Sequence, residues 1–268
     1  MDGKTTAPRA LAVGLQVLHK GAMHRDRRPG QDGWISTSFS DDWIVGWRIR
    51  AGAAGLVVAL SALACSRSQA DAGVAMAAVP APQTASGSAE IGKIAPDFAL
   101  QDLDGRTAHL ADFMGKTVVL EWFNPQCPFV RMSHTKGSLK DAAARHMKDG
   151  VVWLGIDSAA PGKQGYDVDA IREGATRFGL THPILRDTSG TVGRAYGATN
   201  TPHMFIIDRA GTLVYAGAID NSPDAEGASP QGGSLVNYVD AALDDLAAGR
   251  PVRVSRTKAY GCGVKYGT

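Results

Sequence analysis

Residues 117–130 read TVVLEWFNPQCPFV, and the break in the middle of this stretch decides the fold. TVVLEWF is an apolar run interrupted only by Glu121, the pattern of a strand covered on both faces. Asn124-Pro125 ends it, and a helix is expected from about Pro128. Cys127 falls at the junction. Backbone N–H groups at a helix N-terminus favour negative charge, so a thiol there is expected to shift toward its reactive thiolate. The flanking Asn124, Pro125 and Pro128 point to an exposed turn rather than a buried structural cysteine. A carboxylate on a buried strand is costly, so either the Glu121 carboxyl rises in pKa toward neutral or it pairs with a base such as Lys116.

Outward from this stretch a βα order continues. Upstream, APDFALQDLDGRTAHLADF offers short strands at 98–101 and 107–110, joined through the turn-forming pair Asp104-Gly105. Downstream, VVWLGID (151–157) reads as a second buried strand, and DVDAIREGATRFG (167–179) carries Val168, Ile171, Ala175 and Phe178 at helical spacing. HPILRD (182–187) reads as a short edge strand, followed by a helix over 192–196 that ends at Gly197. HMFIID (203–208) and TLVYAG (212–217) flank a turn as a hairpin, and a last helix is expected from Ser234 as N-cap to a stop at Gly249. This order specifies an α/β domain over 93–250, a mixed central sheet flanked by helices with an N-terminal β-hairpin extension. Residues 251–268 form a tail carrying Cys262.

The 268-residue chain has a net charge of +2 with both signs scattered, which gives no footprint for nucleic acid. The basic cluster HRDRRPG (24–30) reads as a solvated stretch without function. Residues 51–64, AGAAGLVVALSALA, are uncharged and follow Arg48 and Arg50, the pattern of an export signal. Ala62 and Ala64 allow cleavage before Cys65; alternatively Cys65 is a lipidated first residue that tethers the protein to a membrane. A signal belongs at the start of a chain, so translation is expected to begin downstream, at Val45, with 1–44 outside the native protein; otherwise 1–50 is expected to be disordered. Residues 66–92, rich in Ala, Ser, Pro and Gly, read as a flexible linker. The expected location is the bacterial envelope, periplasmic or lipoprotein-anchored. Two thiols then remain in an oxidising compartment, Cys127 and Cys262. Gly261 and Gly263 free the backbone around Cys262, and Lys258 and Lys265 are expected to favour its thiolate. Either Cys262 resolves or bonds Cys127, or it is a tail thiol without a partner.

Ala95-Pro96-Asp97-Phe98, Asp104-Gly105, Gly115-Lys116, VVLEWFNPQCPF and Thr201-Pro202 before HMFIID together resemble the thioredoxin-like redoxin superfamily, which includes alkyl hydroperoxide reductase and peroxiredoxin types and membrane-tethered thiol-disulfide reductases. EWFNPQCPFV, TPHMFIID, VYAGAID and KAYGCGVKY are most similar to a peroxiredoxin-like group with a single cysteine at the first position of the redox motif. The resemblance covers about two thirds of the chain. It implies that Cys127 is the nucleophile, with Val130 in place of the second cysteine. It also implies that Glu121 is the buried acid that relays a proton, and that Thr201-Pro202 is a cis bond whose preceding backbone faces a substrate chain. Leu120 and Asn124 stand where peroxiredoxins carry proline and the peroxide-holding threonine. His203 either approaches Cys127 or is structurally bonded.

Three functions follow. The first is a thiol-disulfide oxidoreductase acting on a thiol or disulfide protein partner, with Cys127, Cys262, Glu121, Thr201 and Pro202 at the site. The second is a peroxidase in which peroxide oxidises Cys127 and Cys262 condenses with it. The third is a copper-binding module using Cys127, His134 and His203. No cofactor is implied by the first two.

Overall fold

The computed structural model describes residues 84, 85 and 87–268, so the expected start site, export signal and cleavage or lipidation point lie outside the described residues. In chain order the elements are β1 (Thr84–Ala85), β2 (Phe98–Asp102), β3 (Thr107–His109), β4 (Val118–Trp122), α1 (Pro128–Thr135), α2 (Ala142–Lys148) and β5 (Val152–Asp157). There follow α3 (Val168–Arg177), β6 (Ile184–Arg186), α4 (Thr191–Tyr196), β7 (Asn200–Thr201), β8 (His203–Ile207), β9 (Leu213–Gly217), α5 (Tyr238–Ala247) and β10 (Cys262–Gly263). The main sheet runs β1-β2-β6-β5-β4-β8-β9, with β3 paired to β2. β4 and β5 are parallel, as are β5 and β6, whereas β8 runs antiparallel to β4 and β9 to β8. The mixed sheet with helices on its faces is the fold that the βα order specifies.

Every residue of β4 is buried, so its alternate side chains feed two cores. Val118, Leu120 and Trp122 join Phe98, Leu154, Ile156, Tyr196 and Phe205 on one face. On the other, Val119 meets Trp153, Met204, Ile206 and Tyr215 beneath Val239 and Leu243 of α5. A third cluster, Phe123, Cys127, Val130, Ile171, Phe178 and Ile184, lies where β4 hands over to α1. This third cluster holds the Cys127 turn in place.

Three expectations need correction, and one helix is added to them. β6 is an interior strand between β2 and β5, because its three residues are all buried and β2 folds back onto it. The flexible linker does not extend to 92: Thr84 and Ala85 pair with Ala99 and Phe98, and Ala85, Ala89 and Ile91 pack on the core. The last helix starts at Tyr238, where the Asn237 side chain accepts the Asp240 N–H as a cap, rather than at Ser234. α2, which had no apolar period to announce it, lies across the sheet with Ala142 and Ala143 buried.

α3 approaches the Cys127 turn closely at Gly174. A Cβ built there lies 2.2 Å from Cβ of Pro125. Helix propensity alone favours alanine over glycine by about 1 kcal/mol, but overpacking a tight contact costs about 1–3 kcal/mol. We therefore expect Gly174→Ala to lower the urea midpoint of unfolding; an unchanged or higher midpoint would show that α3 does not clamp the turn.

Candidate functional site: two cysteines joined by the C-terminal strap

The turn that carries Cys127 is built by Asn124. Its Oδ1 accepts the Gln126 N–H at 2.9 Å, its backbone carbonyl accepts the Cys127 N–H at 3.0 Å, and its Nδ2 donates to Gln164 O at 3.2 Å. Cys127 is then the N-cap of α1, with Pro128 in the first helical turn. Contrary to the exposed turn expected from the flanking prolines, Cys127 is 0 % exposed and Asn124 is buried too. Phe123, Val130 and Ile171 enclose the cysteine, and Cys262 packs against this cluster from the tail.

Opposite Cys127 stands the loop before β8. The Thr201–Pro202 peptide is cis, and the Thr201 carbonyl accepts the Cys127 thiol at 3.0 Å. The same segment receives the tail, since β10 pairs antiparallel with β7, Cys262 against Thr201 and Gly263 against Asn200. The two sulfurs lie 2.7 Å apart. Gly261 makes this possible. It sits at φ +111°, and a Cβ there would fall 2.3 Å from the Thr201 carbonyl oxygen, the acceptor of the Cys127 thiol.

The tail is strapped down along its length. Ala216 N donates to Ser255 O, Ala218 N to the Thr257 hydroxyl, and the Tyr260 hydroxyl to Asp220 at 2.7 Å. Beyond Cys262, Val264 N donates to Thr199 O, Ala160 N to Lys265 O, and the Tyr266 hydroxyl to Ala198 O. Arg194 holds Gly267 O and lies over the Tyr266 ring. Cys262 is therefore not a loose tail thiol. Nor is it held as thiolate, as its lysines suggested: burial and the neighbouring Cys127 push its thiol up to about 11, against which Lys265 and the Phe129 backbone N–H act weakly.

Glu121 is fully buried, and its partner is His134 of α1 rather than Lys116. His134 Nε2 donates to Oε1 at 2.7 Å, and Trp153 Nε1 donates to Oε2 at 3.0 Å. Burial pushes the carboxyl up, yet His134, His182 and Trp153 outweigh it and hold the group below the usual range. The expected rise toward neutral is thus overturned, because an anion with two donors is the favoured form even in the interior. His134 also stacks on Phe178. His182 lies nearby with no hydrogen-bond partner for either ring nitrogen among the described residues, and burial pushes it down to about 4. His203 accepts the Thr199 N–H on Nδ1, so it braces the turn behind Thr201.

His134, Trp153 and His182 were missed as partners of Glu121. Only the isolated acid in TVVLEWF signalled that some donor had to meet it. With His134 committed to Glu121 and His203 to Thr199, the copper ligand set Cys127, His134 and His203 does not assemble. Among the described residues no three histidine, cysteine or carboxylate groups gather as a metal site.

A buried cysteine at a strand–turn–helix junction, facing a cis-proline loop and a second thiol, defines a thioredoxin-like redox protein. The family model described as Redoxin matches residues 90–229, just over half of the chain, and the chain belongs to the Redoxin family. A thiol-disulfide oxidoreductase ResA of Geobacillus thermodenitrificans (strain NG80-2) is 35% identical over 124 residues, 46% of this chain and 66% of that protein. The chain thus spans just under two thirds of that relative's length. A chloroplastic peroxiredoxin Q of Triticum aestivum is 26% identical over 155 residues, 53% of this chain and 68% of that protein. Among solved structures, an uncharacterized conserved protein from Geobacillus kaustophilus aligns with a TM-score of 0.57 at 31% identity, covering 70% of this chain and 98% of that one. A hypothetical protein of Sinorhizobium meliloti 1021 aligns at 0.58 and 27% identity, covering 69% and 99%.

The buried histidines set a pH dependence. Unfolded, His182 takes up a proton near its ordinary value of 6.5; folded, it does so only near 4. Between these values the unfolded chain binds more protons, so stability falls as pH falls through the window. We expect wild type to lose more unfolding free energy than His182→Leu between pH 7 and 4.5 in urea titrations, by up to about 3 kcal/mol. Equal losses would show that His182 is not held neutral.

Proposed function

We propose that the protein is a thiol-disulfide oxidoreductase that cycles Cys127 and Cys262 between a dithiol and a disulfide. The observation that carries this reading is the 2.7 Å approach of the two sulfurs from opposite ends of the domain. Closing the bond removes two electrons and two protons, which pass to a disulfide partner; opening it takes them from a dithiol partner. Cys127 serves as the nucleophile that closes the bridge, placed where free N–H groups of α1 favour negative charge. Thr201, ahead of the cis bond to Pro202, offers the carbonyl that holds the Cys127 thiol while it is protonated. Glu121 acts as an anchored anion behind the site rather than as an acid poised near neutral pH. Relatives named for thiol-disulfide exchange support this reading. The N-terminal segment 51–65 fits export to the envelope, with cleavage or lipidation at Cys65 as the alternatives. No helix among the described residues is long and apolar enough to cross a membrane.

One observation favours a second reading, peroxide reduction. A cavity of about 240 Å³ abuts Cys127 between α1 and α3, lined by Arg131, Glu173 and Arg177. It has room for a peroxide. Against it, Asn124 spends its side chain on the turn and offers no hydroxyl.

Parallel assays separate the two. With dithiothreitol as reductant, wild type is expected to reduce insulin disulfides, and Cys127→Ser and Cys262→Ser each to fall at least about tenfold, because neither variant can close the internal disulfide that completes the exchange. Full activity in Cys262→Ser, or hydrogen peroxide consumption that outpaces disulfide exchange, would reverse the ranking.

A further inference from the structure

Access to the two sulfurs is unequal, and in an unexpected order. Cys127, the residue at the redox turn, is 0 % exposed. On the cis-proline side, the strip of Thr201 backbone that would receive an incoming chain is already occupied by β10. On the α1–α3 side, Cys127 borders a space of about 240 Å³ walled by Pro125, Arg131, Gly174 and Arg177, but its own surface is closed to solvent. Cys262 is only half-buried, between the half-buried Gly261 and the exposed Gly263, so no side chain of its neighbours stands over it.

We propose that Cys262, not Cys127, is the sulfur at which a thiol partner joins the protein. This rests on the Cys127–Cys262 couple proposed above. In the oxidised protein, a partner thiolate attacks Cys262 Sγ; the Cys127–Cys262 bond breaks, a Cys262–partner disulfide forms, and Cys127 leaves as thiolate. A second thiolate of a dithiol partner then attacks the partner's own sulfur in that mixed disulfide. The partner leaves as a disulfide, Cys262 is released, and each of the two cysteines takes up a proton. Two electrons have passed from the partner to the protein. The reverse direction runs through the same mixed disulfide, with the Cys127 thiolate attacking Cys262 Sγ to expel the partner.

The energetics agree with the access. In thiol exchange the better leaving group is the thiol that carries negative charge more easily. Attack on Cys127 would have to expel Cys262, whose thiol is pushed up by burial. Attack on Cys262 expels Cys127 at the N-cap of α1, where helix N–H groups meet the new charge. The strap also keeps the site together during the step. Thr257 and Tyr260 before Cys262, and Val264 and Tyr266 after it, are bonded to the domain through groups that do not include either sulfur. The expelled thiolate therefore stays beside the mixed disulfide, placed to attack Cys262 Sγ when the exchange runs in the reverse direction.

The test uses the full chain carrying Cys65→Ser, so that two cysteines remain. After oxidation with diamide, the intact mass should fall by two hydrogens; if it does not, the dithiol couple itself fails and this proposal with it. The oxidised protein is then mixed with reduced glutathione, quenched at short times with N-ethylmaleimide and mapped by peptide mass. The expected result is glutathione on Cys262 and maleimide on Cys127, in at least about tenfold excess over the opposite pattern. A bridge that forms normally but opens with glutathione on Cys127, or on both sulfurs equally, overturns the assignment while leaving the couple intact.

Discussion

The site depends on two residues of tail pairing with two residues of loop. β10 contributes only Cys262 and Gly263, and β7 only Asn200 and Thr201, yet this ladder sets one sulfur 2.7 Å from the other across 135 positions of sequence. Loop closure over such a length is entropically costly for an unfolded chain. It is offset by the backbone and side-chain hydrogen bonds made along the strap from Ser255 to Gly267. The Thr201 carbonyl is the pivot. It accepts the Cys127 thiol, and its close approach to Gly261 excludes any side chain at that position.

From that pairing follows the division of labour at the site. A strand covering the cis-proline loop seals Cys127 in an apolar cluster and leaves Cys262 half-buried at its edge. Packing against that cluster and the neighbouring sulfur raise the energy of a thiolate on Cys262. Beneath β4 the protein handles another buried charge differently. Glu121 is kept ionised by two donors from separate elements, His134 of α1 and Trp153 of β5, which ties the redox helix to the sheet. A buried anion with one donor removed would be strongly destabilising, whereas the satisfied network is not.

Much of this was legible in the chain. TVVLEWF, VVWLGID and HMFIID announce buried strands because apolar runs of that length have few other uses, and Cys127 marks the strand-to-helix junction through its flanking prolines. The interior place of β6 was not legible: three buried residues look the same at an edge or in the middle, and only the return of β2 decides. The exposure of Cys127 was misjudged because turn residues around a cysteine describe its backbone and not what packs over it, here a strand from the far end of the chain. Cys262 was found by counting thiols and noting its glycines, but its protonation was read from Lys258 and Lys265, nearby in sequence. The sulfur of Cys127, nearby in space, matters more. The partner of Glu121 was missed for the same reason, since His134 reaches it from the following helix.

The central claim is that Cys127 and Cys262 form one redox couple. The most direct measurement is an equilibrium titration of the Cys65→Ser protein in glutathione buffers of graded potential, counting free thiols at each point. The account predicts that both thiols disappear together in a single two-electron transition, and that Cys262→Ser abolishes it. Independent loss of the two thiols as separate glutathione adducts, with no protein disulfide at any potential, would contradict it.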